Sequence, residues 1–146
     1  MLRQFLVGGG VSVLNIAIHA LVMTTVVRVA QVAQVRGVQN KSHSSLLLMA
    51  VMIPTVLILM ITHTFEVLVW SLAYSIANVA SAGVDLVYFA FVNYTTLGYG
   101  DVLPAERWRL LGPITAMNGV LLFGWSTAVI FEVLRRTLAR CLDIQE

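Results

Sequence analysis

Three runs, residues 5–29, 46–77 and 110–134, are long, strongly apolar and almost free of charge. A bilayer's hydrocarbon core is crossed by about 20 apolar residues of helix. Lipid cannot satisfy open backbone groups, so such runs must be helical there. The rest of the composition agrees. Of 146 residues, 59% are hydrophobic and 11% charged, where soluble domains carry about 25% charged residues. Mean hydropathy is +0.89. The expected fold class is an all-α integral membrane protein with three spans, one further loop segment and no second domain.

Charge and chemistry narrow the function. The net charge is +2, and the basic residues lie near segment ends rather than along one face, so no nucleic-acid partner is expected. Cys141 is alone, which excludes an intrachain disulfide and a Cys metal cluster. The three histidines are scattered, no nucleophile–base pairing is readable, and neither an enzyme nor an organic cofactor is expected.

The first run includes Asn15 and His19 and carries no charge before Arg28. A cleaved signal peptide competes with a retained span, but the run is long and shows no clear small-x-small cleavage site. We take it as retained. Gly8, Gly9 and Gly10 weaken the helix start and suit close helix packing. Residues 29–45 are the most polar stretch and read as a loop, or as a short surface helix over 30–35 with a turn at Gly37.

The second run has about 32 residues, roughly 48 Å of helix, which suggests tilt, a kink at Pro54 or an end outside the bilayer. Trp70 and Tyr74 read as an interfacial belt. Residues 75–83 form a linker rich in Ser, Ala, Asn and Gly. A short aromatic helix over 84–94 follows, then Thr95-Thr96-Leu97-Gly98-Tyr99-Gly100-Asp101, a polar return over 102–109, and the third run. Pro113 falls in that run's first turn, where a missing N–H matters least.

The segment Thr96-Leu97-Gly98-Tyr99-Gly100 resembles the Thr-Val-Gly-Tyr-Gly selectivity filter of the potassium channel family, with Leu97 in place of Val. In that filter, backbone carbonyls replace the water shell of the ion. Gly98 and Gly100, at alternate positions, allow the chain to alternate between right- and left-handed geometry. The resemblance implies a pore-loop cation channel fold over residues 46–136: outer helix, re-entrant pore helix, filter and inner helix. Residues 1–45 add an N-terminal span and cytoplasmic loop, and 137–146 a short cytoplasmic tail. It implies K+ bound at Thr96, Leu97, Gly98 and Tyr99, with Leu97 and Tyr99 bracing from behind and Asp101 at the outer mouth. One filter cannot encircle an ion, so a homotetramer is expected.

In many potassium channels a pore-helix carboxylate pairs with the filter aspartate, and the corresponding position here is Val92. Trp70, Tyr88 or Asn93 is left as the substitute donor to Asp101. His63 and Glu66, one turn apart, read three ways: support for the filter or pore helix that makes the pore pH-sensitive, a metal pair, or a satisfied hydrogen-bonded pair near the interface. Gly119 and Gly124 are hinge candidates, with Gly119 preferred by resemblance and helix packing the rival role. Asn118 and Ser126 face either a water-filled cavity or partners in the bundle. Trp108 is expected to anchor the outer interface and Trp125 to pack. Arg135, Arg136 and Arg140 are expected to meet anionic lipid headgroups.

With the filter outside, Arg28, Arg36, Lys41, Arg135, Arg136 and Arg140 fall inside and Arg3, Arg107 and Arg109 outside, six against three, as the positive-inside rule requires. This implies a multi-pass plasma (inner) membrane protein with its N-terminus outside and C-terminus cytoplasmic. The expected function is passive conduction of K+. The rivals are a weakly selective monovalent cation channel and a non-conducting scaffold or accessory subunit. No span has the arginine spacing of a voltage sensor, and about ten residues after the inner helix are too few for a ligand-binding domain.

Overall fold

The computed structural model describes residues 1–39 and 44–143, without the side chains of residues 34, 36–39, 44 and 141–143. The described residues form helices α1 (Leu2–Gln39), α2 (Ser44–Ala77), α3 (Leu86–Tyr94) and α4 (Leu111–Asp143), with a single 3-10 turn, Glu106–Trp108, before α4. Among the described residues, three stretches are long and apolar enough to cross a membrane: Leu2–Ala33, Ser45–Ala77 and Glu106–Arg140. The fold is all-α, as expected.

Two boundaries differ from the sequence reading. Residues 29–39 continue α1 as helix, and no turn interrupts it at Gly37. The polar residues there are individually compatible with helix, so polarity marked the end of the apolar run and not the end of the helix. Lys41, which the orientation argument used, lies outside the described residues. Likewise α4 runs on to Asp143, so the expected tail over 137–146 is helical as far as it is described.

The chain divides into two compact units, and the division falls within α1, α2 and α4. Unit 1 comprises Met1–His19 and His63–Phe123. Its core contains Val67, Trp70, Tyr74, Val79, Phe89, Ala90, Tyr94, Trp108, Leu111 and Ile114. Trp70 and Tyr74 are fully buried there, so they are core residues and not an interfacial belt. Tyr74 packs at a tilt against Trp70 and Phe89, with ring centroids 5.9 and 5.2 Å apart. Trp108 is also buried at 2% exposure, with the Arg3 guanidinium 4.9 Å from its ring centroid, a cation–π contact. A Cβ on Gly8 would come within 2.9 Å of the Ile114 side chain. That glycine lets α1 approach α4, while Gly9 and Gly10 face open space.

Unit 2 comprises Ala20–Thr62 and Gly124–Glu146. Ala30, Leu47, Val51 and Val133 form its cluster, flanked by Ala33, Met52 and Val129. Pro54 sits inside α2 without ending it.

Candidate pore loop and its buried support

Local chemistry sets the start and stop of α3. Asp85 is its N-cap and accepts from the amides of Val87 (2.9 Å) and Tyr88 (3.1 Å), satisfying two of the open donors of the first turn. Upstream, α2 ends at Ala77, and the next residue, Asn78, takes φ 50°, the left-handed conformation that commonly follows a helix. The Val79 amide then bonds to the Tyr74 carbonyl, and Val79's own carbonyl accepts from Ala105, at 2.8 Å. The return loop is thereby tied to the linker before α3.

At its other end α3 hands its carbonyls to the loop. Thr95 bonds to Phe91, Thr96 to Asn93, and both Leu97 and Gly98 to Val92, at 2.9–3.3 Å. The backbone then alternates: φ is 61° at Thr96, 56° at Gly98 and 79° at Gly100. Gly98 and Gly100 take this region at little cost. Thr96 pays a strain of order 1–3 kcal/mol, which persists only where surroundings impose it. Leu97 and Tyr99 leave 53% and 67% of their surface exposed on the single chain.

Of the three donors left open for Asp101, the structure pairs Tyr88: its hydroxyl donates to Asp101 Oδ2 at 2.7 Å. The Asp101 carboxylate, through this bond and its charge, holds the Tyr88 phenol above the usual tyrosine value. Asn93 instead donates to the Phe89 carbonyl, and Trp70 donates to Asn118 Oδ1 at 3.0 Å.

Glu66 is fully buried and gathers three partners. His19 Nδ1 lies 2.8 Å from Oε1, and His63 Nδ1 lies 3.0 Å from Oε2. The Tyr94 hydroxyl donates to Oε2 and lies 3.0 Å from His63 Nδ1. Tyr94 is the last residue of α3, so Glu66 and His63 meet the pore-helix candidate at the turn before Thr96. Asn15 donates to the Glu66 carbonyl at 3.2 Å and reaches Asn118 Oδ1 at 3.4 Å. Asn15 and His19 stand out in the sequence only by their polarity inside an apolar run, and their partners lie 47 to 103 residues away.

Asn118 is thus enclosed, at 2% exposure, by Trp70 and Asn15 rather than facing an open cavity. Ser126 is buried too, in unit 2. A Cβ on Gly119 would strike the Tyr94 carbonyl group, so this glycine is needed for close packing of α4 on the end of α3, and α4 is unbroken through it. Gly124 faces open space within the chain. Arg135 and Arg136 both bond to Glu132, ion pairs one helical turn apart. Gln4 Oε1 accepts from the Leu110 amide at 2.8 Å, capping the start of α4 from α1.

The family model for ion channels matches residues 46–136. The chain belongs to this ion channel family. No curated protein and no solved structure matches it. The channel is therefore a multi-pass membrane protein and not an enzyme. The matched residues include α2 from Leu46, α3, the glycine-containing loop and α4 to Arg136, while His19, Asn15 and Gln4 lie before them, on α1.

Proposed function

We propose that the channel is selective for potassium and conducts it passively as a homotetramer, through carbonyl oxygens of Thr96, Leu97, Gly98 and Tyr99. The observation that carries this reading is the alternation of left-handed backbone at Thr96, Gly98 and Gly100. It starts where α3 ends. A run of carbonyls directed at one axis needs such alternation, and uncharged oxygens can replace an ion's water shell without trapping it. The exposed faces of Leu97 and Tyr99 fit coverage by neighbouring copies. Asp101, held by Tyr88, contributes to a ring of carboxylates that concentrates cations at the outer mouth. The filter end and the N-terminus share the outer side of the plasma membrane, the C-terminus is cytoplasmic, and the terminal arginines supply charge for contact with anionic lipid.

Single-channel recording in planar bilayers with K+ on one side and Na+ on the other tests this. A reversal potential set by K+ is expected. Equal permeability would replace this reading with a weakly selective cation channel, for which Leu97 is the residue to blame. Silence from intact tetramers would overturn conduction altogether.

A further inference from the structure

We infer that His19, His63 and Glu66 form a binding site for a divalent transition metal of the zinc class, with the Tyr94 hydroxyl as a fourth donor. One ligand atom from each of the first three can be chosen so that all lie within 4.8 Å of one another. His19 and Glu66 are fully enclosed, and the His63 side chain keeps 14% of its surface open, which gives a cation its way in. Two imidazoles and one carboxylate are a zinc donor set with room for a fourth ligand. Potassium, magnesium and calcium prefer oxygen alone, so this site is chemically distinct from a carbonyl-lined pore.

The present spacing is that of a hydrogen-bonded cluster, at 2.8 and 3.0 Å. Ligand bonds of about 2.0–2.2 Å in tetrahedral geometry place donors about 3.4 Å apart. Side-chain rotations that separate the two His–Glu pairs by about half an ångström, and the Tyr94 hydroxyl from Glu66 by about twice that, make that space. There is also a charge reason for a cation. An ionised carboxylate enclosed within a membrane span is costly unless a positive partner compensates it. A metal ion does so while engaging both imidazoles at once.

α2 alone supplies only His63 and Glu66; His19 comes from α1, outside the residues that match the family. A bound ion would fasten α1 to α2 and, through Tyr94, to the end of α3 just before the glycine-containing loop. The site does not depend on potassium selectivity, so the two readings fail separately.

The test uses the full chain purified in detergent, stripped with a chelator and re-equilibrated with Zn2+ alone. The expected result is stoichiometric zinc per chain by elemental analysis, a melting temperature raised by several degrees, and an X-ray absorption spectrum with imidazole scattering. Co2+ should give the intense visible bands of a four-coordinate site. His19→Gln and His63→Gln should each weaken zinc binding about tenfold or more. Wild-type protein that retains no zinc overturns the site, as does zinc that remains equally tight in folded variants. Should both variants fail to fold, the wild-type absorption spectrum decides: a zinc shell without imidazole overturns it.

Discussion

Units 1 and 2 divide the same three long helices between them but are specified by different means. In unit 1 the buried side chains include Asn15, His19, Glu66, Thr115 and Asn118, and their bonds join residues far apart in the chain. Tyr74 meets Thr115 at 2.6 Å across 41 residues, and Trp70 meets Asn118 across 48. In unit 2, Thr55, Thr62 and Thr137 return their hydroxyls to carbonyls four residues back on their own helix, and the cluster is Ala, Leu and Val. Lipid is as apolar as leucine, so apolar contacts alone specify weakly there, whereas polar pairs and close backbone approach fix one arrangement. A loop with strained backbone needs the second kind of surroundings. Unit 1 has it.

The largest contrast is expected at the glycines of the loop. Gly98→Ala puts a Cβ on a residue at φ 56°, at about 1–2 kcal/mol per copy. Repeated around the proposed tetramer, this should cut the proposed potassium current at least about a hundredfold, with membrane insertion intact. Normal selective current from this variant would remove the loop from the conduction path and leave unit 1 as ordinary packing.

Next comes removal of a buried partner. Glu66→Ala removes the carboxylate that His19, His63 and Tyr94 share, and breaking such a buried cluster costs about 3–5 kcal/mol. Val51→Ala in the unit 2 cluster should cost about 2 kcal/mol. Thermal unfolding of the two purified variants measures both. Equal losses would break the distinction between the units.

A smaller effect separates two glycines of α4. Gly119→Ala drives a methyl into the Tyr94 carbonyl group, backbone against backbone, at about 1–3 kcal/mol. Gly124→Ala meets nothing within 4 Å and should be neutral or stabilising by up to about 1 kcal/mol, through helix propensity. If Gly119→Ala conducted and melted like wild type while Gly124→Ala failed, the hinge would belong to Gly124 and the packing argument to neither.

These contrasts also explain what could be read in advance. The spans were legible because a bilayer imposes length and apolarity residue by residue. The loop was legible because its requirement is local: glycine at alternate positions in a run that directly follows a capped helix. The continuation of α1 through residues 29–39 was not legible, since Arg36 and Gly37 are as compatible with a surface helix as with a loop. Trp70 and Tyr74 were misplaced because an amphipathic ring suits both an interface and a core with a partner, and Asn118 and Thr115 are those partners. His19 joined Glu66 only in three dimensions. No spacing rule links residues 47 apart on different helices.

The smallest effect belongs to an exposed pair, and it tests how far unit 1 depends on bonds at its rim. Tyr88 donates to Asp101 across 13 residues, so Tyr88→Phe removes one hydrogen bond and leaves the ring. The pair is solvent-facing, so melting should scarcely change. The expected signature is kinetic: potassium current that opens normally but declines faster during sustained activity, because the loop's outer end has lost a tether. The direction of the pH dependence follows from the phenol. Its value is raised by the Asp101 carboxylate, so the donating, protonated form is complete below the ordinary tyrosine value of about 10. The tether is lost only as pH rises through the still higher value in the folded protein. The wild-type current should therefore hold its time course across neutral pH and approach that of Tyr88→Phe only under strong alkali. Convergence of the two at neutral pH would show that Asp101 is held by something other than this hydroxyl.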